Sequence, residues 1–284
     1  VNTVAIVGVG LIGGSFALAL RKAGFAGRIL GVSSAPAIAA ALERGVIDEP
    51  ASLEQAAAQA DLIYLAQPIR RILETLTQLD AWLRPEALVT DAGSTKAQIV
   101  ETARRHIRKA QFLGGHPMAG KEKRGVEIAD ADLFAGRTYV LTPDGPRDLE
   151  TPAAEQFLDW IRRIGGVPVV LEPAEHDKVV SLTSHLPQLA STALAATLAR
   201  RLSAERHRAV AGPGLIDMTR LAMSPHDIWR DILETNREPV EAALDAYIEE
   251  LRQIRASLTS ERTAGEFELA GDFAQKIRRS GEDA

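Results

Sequence analysis

Apolar positions in the first part of the chain fall into short β-branched runs that alternate with longer periodic stretches. Thr3 to Val7 (TVAIV) is a run of strand formers ending on glycine, and Leu11 to Ala23 is apolar nearly all round before Gly24. That pattern predicts a buried strand, a glycine turn and a buried helix. The same grammar repeats, with strands predicted at Ile29 to Val32, Leu62 to Ala66 and Leu88 to Asp91, and helices at Ala37 to Arg44 and Ile69 to Leu79. Alternation of this kind implies right-handed crossovers and a parallel sheet. Ser52 with Gln55 and Thr95 with Gln98 have capping-box spacing, and the second pair places Ser94 and Lys96 at the mouth of a helix. Further strands are predicted at Thr138 to Leu141 and Val167 to Leu171, with an amphipathic helix from Glu150 to Ile164 between them.

From Pro173 onward the strand signals stop. Leu182 to Leu202, Asp227 to Leu233 and Glu238 to Leu258 read as helices, and the polar stretch after Ser260 reads as a last helix with a frayed end. The expected architecture is therefore an α/β doubly wound sheet over residues 1–172 followed by an all-helical domain over 173–284. The apolar faces of that second domain exceed what a few helices bury against each other, which points to a homodimer formed through it.

Composition narrows the chemistry. The 284 residues contain no Cys, which excludes a disulfide framework, a Cys-based zinc site, an iron–sulfur cluster and a cysteine nucleophile. The formal net charge of −5 gives no overall attraction for nucleic acid, so an anionic ligand needs a local site. Val1 to Leu20 carries no charge, yet no basic segment precedes it and Gly8, Gly10, Gly13 and Gly14 interrupt it, against a signal peptide or membrane span. A cytoplasmic protein without membrane or nucleic-acid partners is expected.

Gly8-Val9-Gly10-Leu11-Ile12-Gly13 is a G-x-G-x-x-G placed directly after the first strand and opening the first helix. In that context it is the dinucleotide fingerprint of a Rossmann-type domain. Gly8 permits the tight turn, Gly10 lets the backbone approach a pyrophosphate, and Gly13 allows close helix–strand packing, while the N–H groups at the helix start attract the anion. The second strand ends Gly31-Val32-Ser33-Ser34, without the carboxylate that binds a ribose 2′-hydroxyl and without an adjacent Arg or Lys for a 2′-phosphate. NAD and NADP both remain open, and Ser33 serves equally as a helix cap.

Gly115 to Lys121 (GHPMAGK) has P-loop spacing, but Glu122 stands where magnesium binding needs Ser or Thr, and its charge would repel phosphates. The segment reads better as a histidine loop after a strand edge at Phe112 and Leu113, facing the crevice where such sheets bind ligands. From spacing alone His116 is equally a base near neutrality and a core histidine bonded to backbone. His106, His176, His207 and His226 are expected at the surface. No pair has H-E-x-x-H spacing and no G-x-S-x-G elbow is present, so no metal site and no nucleophilic catalysis are expected.

Together with the glycine motif, the segments Asp91 to Lys96 (DAGSTK), Gly114 to Gly120 (GGHPMAG), Leu133 to Pro143, Ser184-His185-Leu186-Pro187 and Asp217-Met218-Thr219-Arg220 resemble the prephenate/arogenate dehydrogenases of tyrosine biosynthesis. The similarity runs in order along nearly the whole chain. It implies a Rossmann-type domain, a helical dimerisation domain and an active site between them, with NAD or NADP as cofactor. It implies that His116 deprotonates or polarises the ring hydroxyl of prephenate or arogenate, that Ser94 hydrogen-bonds to it or to the same hydroxyl, and that Arg220 grips a carboxylate. Glu122 and Trp229 match positions at the entrance, and His185 and Gln188 positions that face the substrate. Gly8, Gly10, Leu11, Ile12, Gly13, Ser33, Gln67, Pro68 and Asp91 match cofactor-binding positions. Two departures bear on specificity: Ile216 stands where many relatives carry Arg, and Gln188 where many prephenate users carry His.

The chemistry implied is oxidative decarboxylation, in which hydride leaves the ring carbinol carbon, His116 accepts the hydroxyl proton and carbon dioxide departs as the ring becomes aromatic. The rivals are a 3-hydroxyacid-type dehydrogenase, for which Lys178 is the lysine near the start of the helical domain, and a non-catalytic dinucleotide-sensing module.

Overall fold

The computed structural model describes residues 1–121, 123–202 and 205–282. The chain divides into two units, Val1–Val179 with Ser224–Thr235 and Val180–Met223 with Asn236–Ala284.

The first unit runs β1 (Thr3–Val7), α1 (Leu11–Lys22), β2 (Arg28–Val32), α2 (Ala35–Glu43), β3 (Glu49–Pro50), α3 (Leu53–Gln59), β4 (Leu62–Leu65), α4 (Ile69–Leu79), β5 (Leu88–Asp91), α5 (Ala97–His106), β6 (Gln111–Pro117), β7 (Thr138–Thr142), α6 (Pro152–Arg163), β8 (Val167–Val170) and α7 (Pro173–Val180). Its strands form one eight-stranded sheet in the order β3-β2-β1-β4-β5-β6-β7-β8. The order reverses between β1 and β4, which is the switch point at which doubly wound sheets bind ligands. Both faces of the central strands are covered, so β1 and β4 are apolar at successive positions rather than alternating, and residues 4–7 and 62–65 are buried throughout.

Two expectations need correction. The sheet is not wholly parallel: β6 pairs antiparallel with β7, with His116 opposite Val140. This pair needs no crossover helix, and among the described residues the chain between Pro117 and Thr138 carries one short 3-10 helix, Val126–Ile128, and turns. The capping box at Ser52 and Gln55 is present, with both reciprocal bonds, but the one at Thr95 and Gln98 is absent. The helix begins one residue later than that box implies, at Ala97. Thr95 is buried with its hydroxyl 2.8 Å from that of Thr235, and Asp177 supplies the missing cap by accepting the Lys96 and Ala97 N–H groups at 2.6 and 2.9 Å. A carboxylate distant in sequence has replaced the local side chain, with the sign the helix dipole favours.

The second unit contains a π-helical turn (Ser181–His185), α8 (Leu186–Arg201), α9 (Glu205–Arg208) and α10 (Pro213–Thr219), followed by a tight turn from Arg220 to Met223. The chain then returns to the first unit as α11 (His226–Thr235), whose Ile232 is buried in the cluster around Ile69, Ile72 and Leu76. It ends in the second unit with α12 (Arg237–Ala256) and α13 (Glu261–Glu282). Phe267, Leu269, Phe273 and Ile277 of α13 are exposed, so this helix leaves its apolar residues unburied in the single chain.

Candidate active site

The glycine turn is shaped as its residue types require. Gly8 has a φ of +100°, and a Cβ there would lie 2.6 Å from the Ala66 carbonyl oxygen. A Cβ on Gly13 would lie 2.2 Å from the Gly8 carbonyl oxygen, so helix α1 reaches β1 only without one. Gly10 differs, because a Cβ there meets nothing within 4 Å. The protein itself does not require glycine at position 10; open space in front of the turn does. Helix α1 starts at that point with no side-chain cap and no acidic residue in its first turn, leaving the N–H end of the dipole for an anion.

Gly10, Leu11, Ile12, Gln67, Pro68 and Ser94 line one cavity of about 420 Å³ at the switch point. The loops that follow β1, β4 and β5 thus converge as the sheet topology dictates. The lining includes Lys121, the last residue of the GHPMAGK segment, and residues without a motif to announce them: Lys123 and Arg124 after β6, and Asp227 and Asp231 of α11. Arg124 binds Asp227 through two parallel bonds of 2.6 and 2.8 Å, and its hydrogen bonds hold the Asp227 carboxyl below the usual carboxylate range. Ser33 is exposed just past β2, whose Val32 carbonyl accepts the Gly8 N–H at 2.8 Å.

Asp91 does not line the cavity. It is fully buried at the end of β5, accepting N–H groups from Gly93 at 2.7 Å and Gly115 at 3.1 Å and an ion-paired bond from the Lys96 ammonium. Lys96, also fully buried, donates to the Gly115 carbonyl at 2.8 Å. Burial pulls the Lys96 pKa below its ordinary value while the Asp91 carboxylate opposes that shift. The pair therefore clamps both backbone groups of Gly115, the residue before His116.

His116 sits inside β6 rather than on a loop after it, half-buried, and Ala119 and Gly120 just beyond it line the cavity. Its Nδ1 lies 2.8 Å from Nε2 of His176. His176, expected at the surface, is fully buried, and its Nδ1 lies 2.8 Å from Oδ1 of Asp177. The helical periodicity of the 173–180 segment gives no sign of this, since His176 reaches a strand and Asp177 a helix start that both lie far away in sequence.

Arg220, His185 and Gln188 belong to the second unit. His185 is buried, with Nδ1 3.2 Å from the Asn236 amide nitrogen. Gln188 is buried on α8 and donates its amide to the Leu221 carbonyl at 2.8 Å and to the Thr192 hydroxyl at 3.2 Å. Gln188 thus ties α8 to the turn that carries Arg220, whose side chain is exposed. Trp229, on α11, is half-buried and donates its indole N–H to Ser224 at 2.9 Å. Glu122 lies outside the described residues. Among the described residues no group of three or more His, Asp or Glu has an arrangement fit for a metal ion.

Known families account for this arrangement. The model of the prephenate dehydrogenase nucleotide-binding domain matches residues 16–170, and that of the prephenate dehydrogenase dimerization domain matches residues 172–272. The chain belongs to the prephenate dehydrogenase family. A prephenate dehydrogenase of Bacillus subtilis (strain 168) is 36% identical over 266 residues, which is 92% of this chain and 71% of the relative. Among solved structures, the prephenate dehydrogenase from A. aeolicus in complex with hydroxyphenyl propionate and NAD+ has a TM-score of 0.85 at 34% identity, covering 98% of this chain and 97% of that one. The Synechocystis arogenate dehydrogenase has a TM-score of 0.81 at 28% identity, covering 98% and 99%. This member of the prephenate dehydrogenase family is accordingly an oxidoreductase with a nucleotide-binding α/β domain.

Proposed function

We propose that the chain catalyses the NAD⁺-dependent oxidative decarboxylation of a cyclohexadienyl acid, prephenate or arogenate, in tyrosine biosynthesis. The observation that carries this is the convergence of Gly10, Gln67, Pro68 and Ser94 on one cavity at the switch point, beside the strand that presents His116. The open space at Gly10 and the uncapped start of α1 fit a pyrophosphate, and the A. aeolicus relative is solved with NAD+. When bound, NAD⁺ supplies the hydride acceptor. His116 holds the proton of the ring hydroxyl while hydride leaves the carbinol carbon, and returns it to the phenolic oxygen once carbon dioxide has gone. Ser94 orients the hydroxyl, and Arg220 grips a carboxylate in the bidentate way that Lys does not reproduce. His185, Gln188, Glu122 and Trp229 shape the substrate's surroundings, and Asp91 acts beneath the cofactor by holding the loop. The exposed apolar residues of α13 are the surface through which two copies form a homodimer. No described helix is long and apolar enough to cross a membrane, and a cytoplasmic location belongs to the same proposal.

The direct test is reduced-cofactor formation from prephenate and from arogenate, each with NAD⁺ and NADP⁺. Production of NADH with either acid is expected; inactivity in all four combinations refutes the assignment. Arg220→Ala should raise KM for the acid by roughly 10- to 100-fold, the loss of a charge-assisted contact, with cofactor KM within a factor of two. Equal effects on both would remove Arg220 from its role. Gly10→Val should weaken NAD⁺ binding at least about tenfold in a fluorescence titration, because it fills the space left for the ligand. Its Tm should stay near that of the parent, since a Cβ there touches nothing.

A further inference from the structure

We propose that His176 and Asp177 are positioning residues that fix His116 as its Nδ1–H tautomer and keep Nε2 as the nitrogen that takes the substrate's hydroxyl proton. This rests on the assignment of His116 as the base, which it deepens.

The donor and acceptor roles follow one from the next. Asp177 accepts the backbone N–H groups of Lys96 and Ala97 at the start of α5, at 2.6 and 2.9 Å, which anchors its carboxylate. An ionised carboxylate only accepts, so His176 Nδ1, 2.8 Å from Oδ1, must be the donor. His176 is fully buried, with the proton of its neutral ring committed on Nδ1 to that carboxylate. The neutral ring therefore presents Nε2 as an acceptor. That nitrogen lies 2.8 Å from His116 Nδ1, which must donate to it. A neutral His116 with its proton on Nδ1 has its lone pair on Nε2, so three side chains and two backbone groups decide which nitrogen is basic.

The same relay acts once His116 is charged. The imidazolium then donates a stronger, charge-assisted bond to His176, backed by the Asp177 carboxylate. Among the described residues, Lys96 and Asp91 form an ion pair that holds the backbone of Gly115 beside this segment, and Asp177 also acts on Lys96. Across the β6–β7 pair the residue opposite His116 is Val140, which does not titrate. Losing the relay therefore destabilises the protonated form of His116 more than the neutral one.

Two readouts on the full chain test this. Imidazole nitrogen NMR of the unmodified protein should show His116 as the Nδ1–H tautomer, and an Nε2–H signal overturns the proposal even if no variant folds. In kinetics, His176→Leu should lower kcat about 10- to 100-fold and move the acid limb of the kcat/KM profile to lower pH, with NAD⁺ affinity unchanged. His176→Gln should recover most of kcat, because its amide oxygen accepts from His116 while its NH₂ donates to Asp177. A folded His176→Leu protein that keeps kcat, pH profile and tautomer refutes the positioning role while His116→Asn remains inactive. An active His116→Asn refutes the base assignment instead.

Discussion

His116→Asn should lower kcat by roughly 10²- to 10⁴-fold while the Kd for NAD⁺ stays within a factor of two, as read by steady-state turnover and by fluorescence titration of the cofactor. Asparagine keeps an N–H that can reach His176, so the local packing survives, but its amide does not take a proton near neutral pH. The glycine turn, α1 and the Gln67–Pro68 loop lie on other elements and are left intact. A chain that merely senses the nucleotide would show no change beyond stability. A 3-hydroxyacid-type mechanism would instead lose its turnover on Lys178→Met and keep it here.

Lys96→Met is expected to be the most damaging single change to stability, costing about 3–5 kcal/mol in a denaturant titration. Methionine fills a similar volume, yet it leaves the Asp91 carboxylate buried with two backbone donors and no counter-charge. Adding Asp91→Leu to Lys96→Met should restore part of the loss, because the ion pair as a whole contributes little and its broken half is what costs. A double variant no more stable than Lys96→Met alone would refute this account of the pair. The clamp serves geometry: it fixes the backbone of Gly115 in β6 against the end of β5, where a Cβ would lie 2.7 Å from the Asp91 carbonyl oxygen.

Much of the fold is legible because it is repetitive. The central strands β1 and β4 each bury a continuous apolar run, and the glycine motif carries its own steric reasons at Gly8 and Gly13. What stays hidden is what distant residues do to one another. Thr95 and Gln98 have the spacing of a cap, but tertiary structure offers a better acceptor in Asp177 and the local signal loses. His176 sits in a short helix of mixed polarity, and nothing within eight residues says that it will be sealed against β6. The direction of β7 is invisible for the same reason, since a strand's residues do not encode which neighbour it pairs with. Gln188 likewise has its amide committed to the Leu221 carbonyl, a bond between α8 and the following turn that its position in a helical run does not announce.

Helix α11 is contributed to the first unit by a stretch of chain, Ser224–Thr235, that lies between the two segments of the second. Chimeras that join the front half of one relative to the back half of another near residue 172 would therefore mismatch the seat of Ile232 with the helix meant to fill it. Recombination at that seam breaks a shared core, whereas exchanging α11 together with its seat preserves it. In this lineage the two halves are bound to drift in concert.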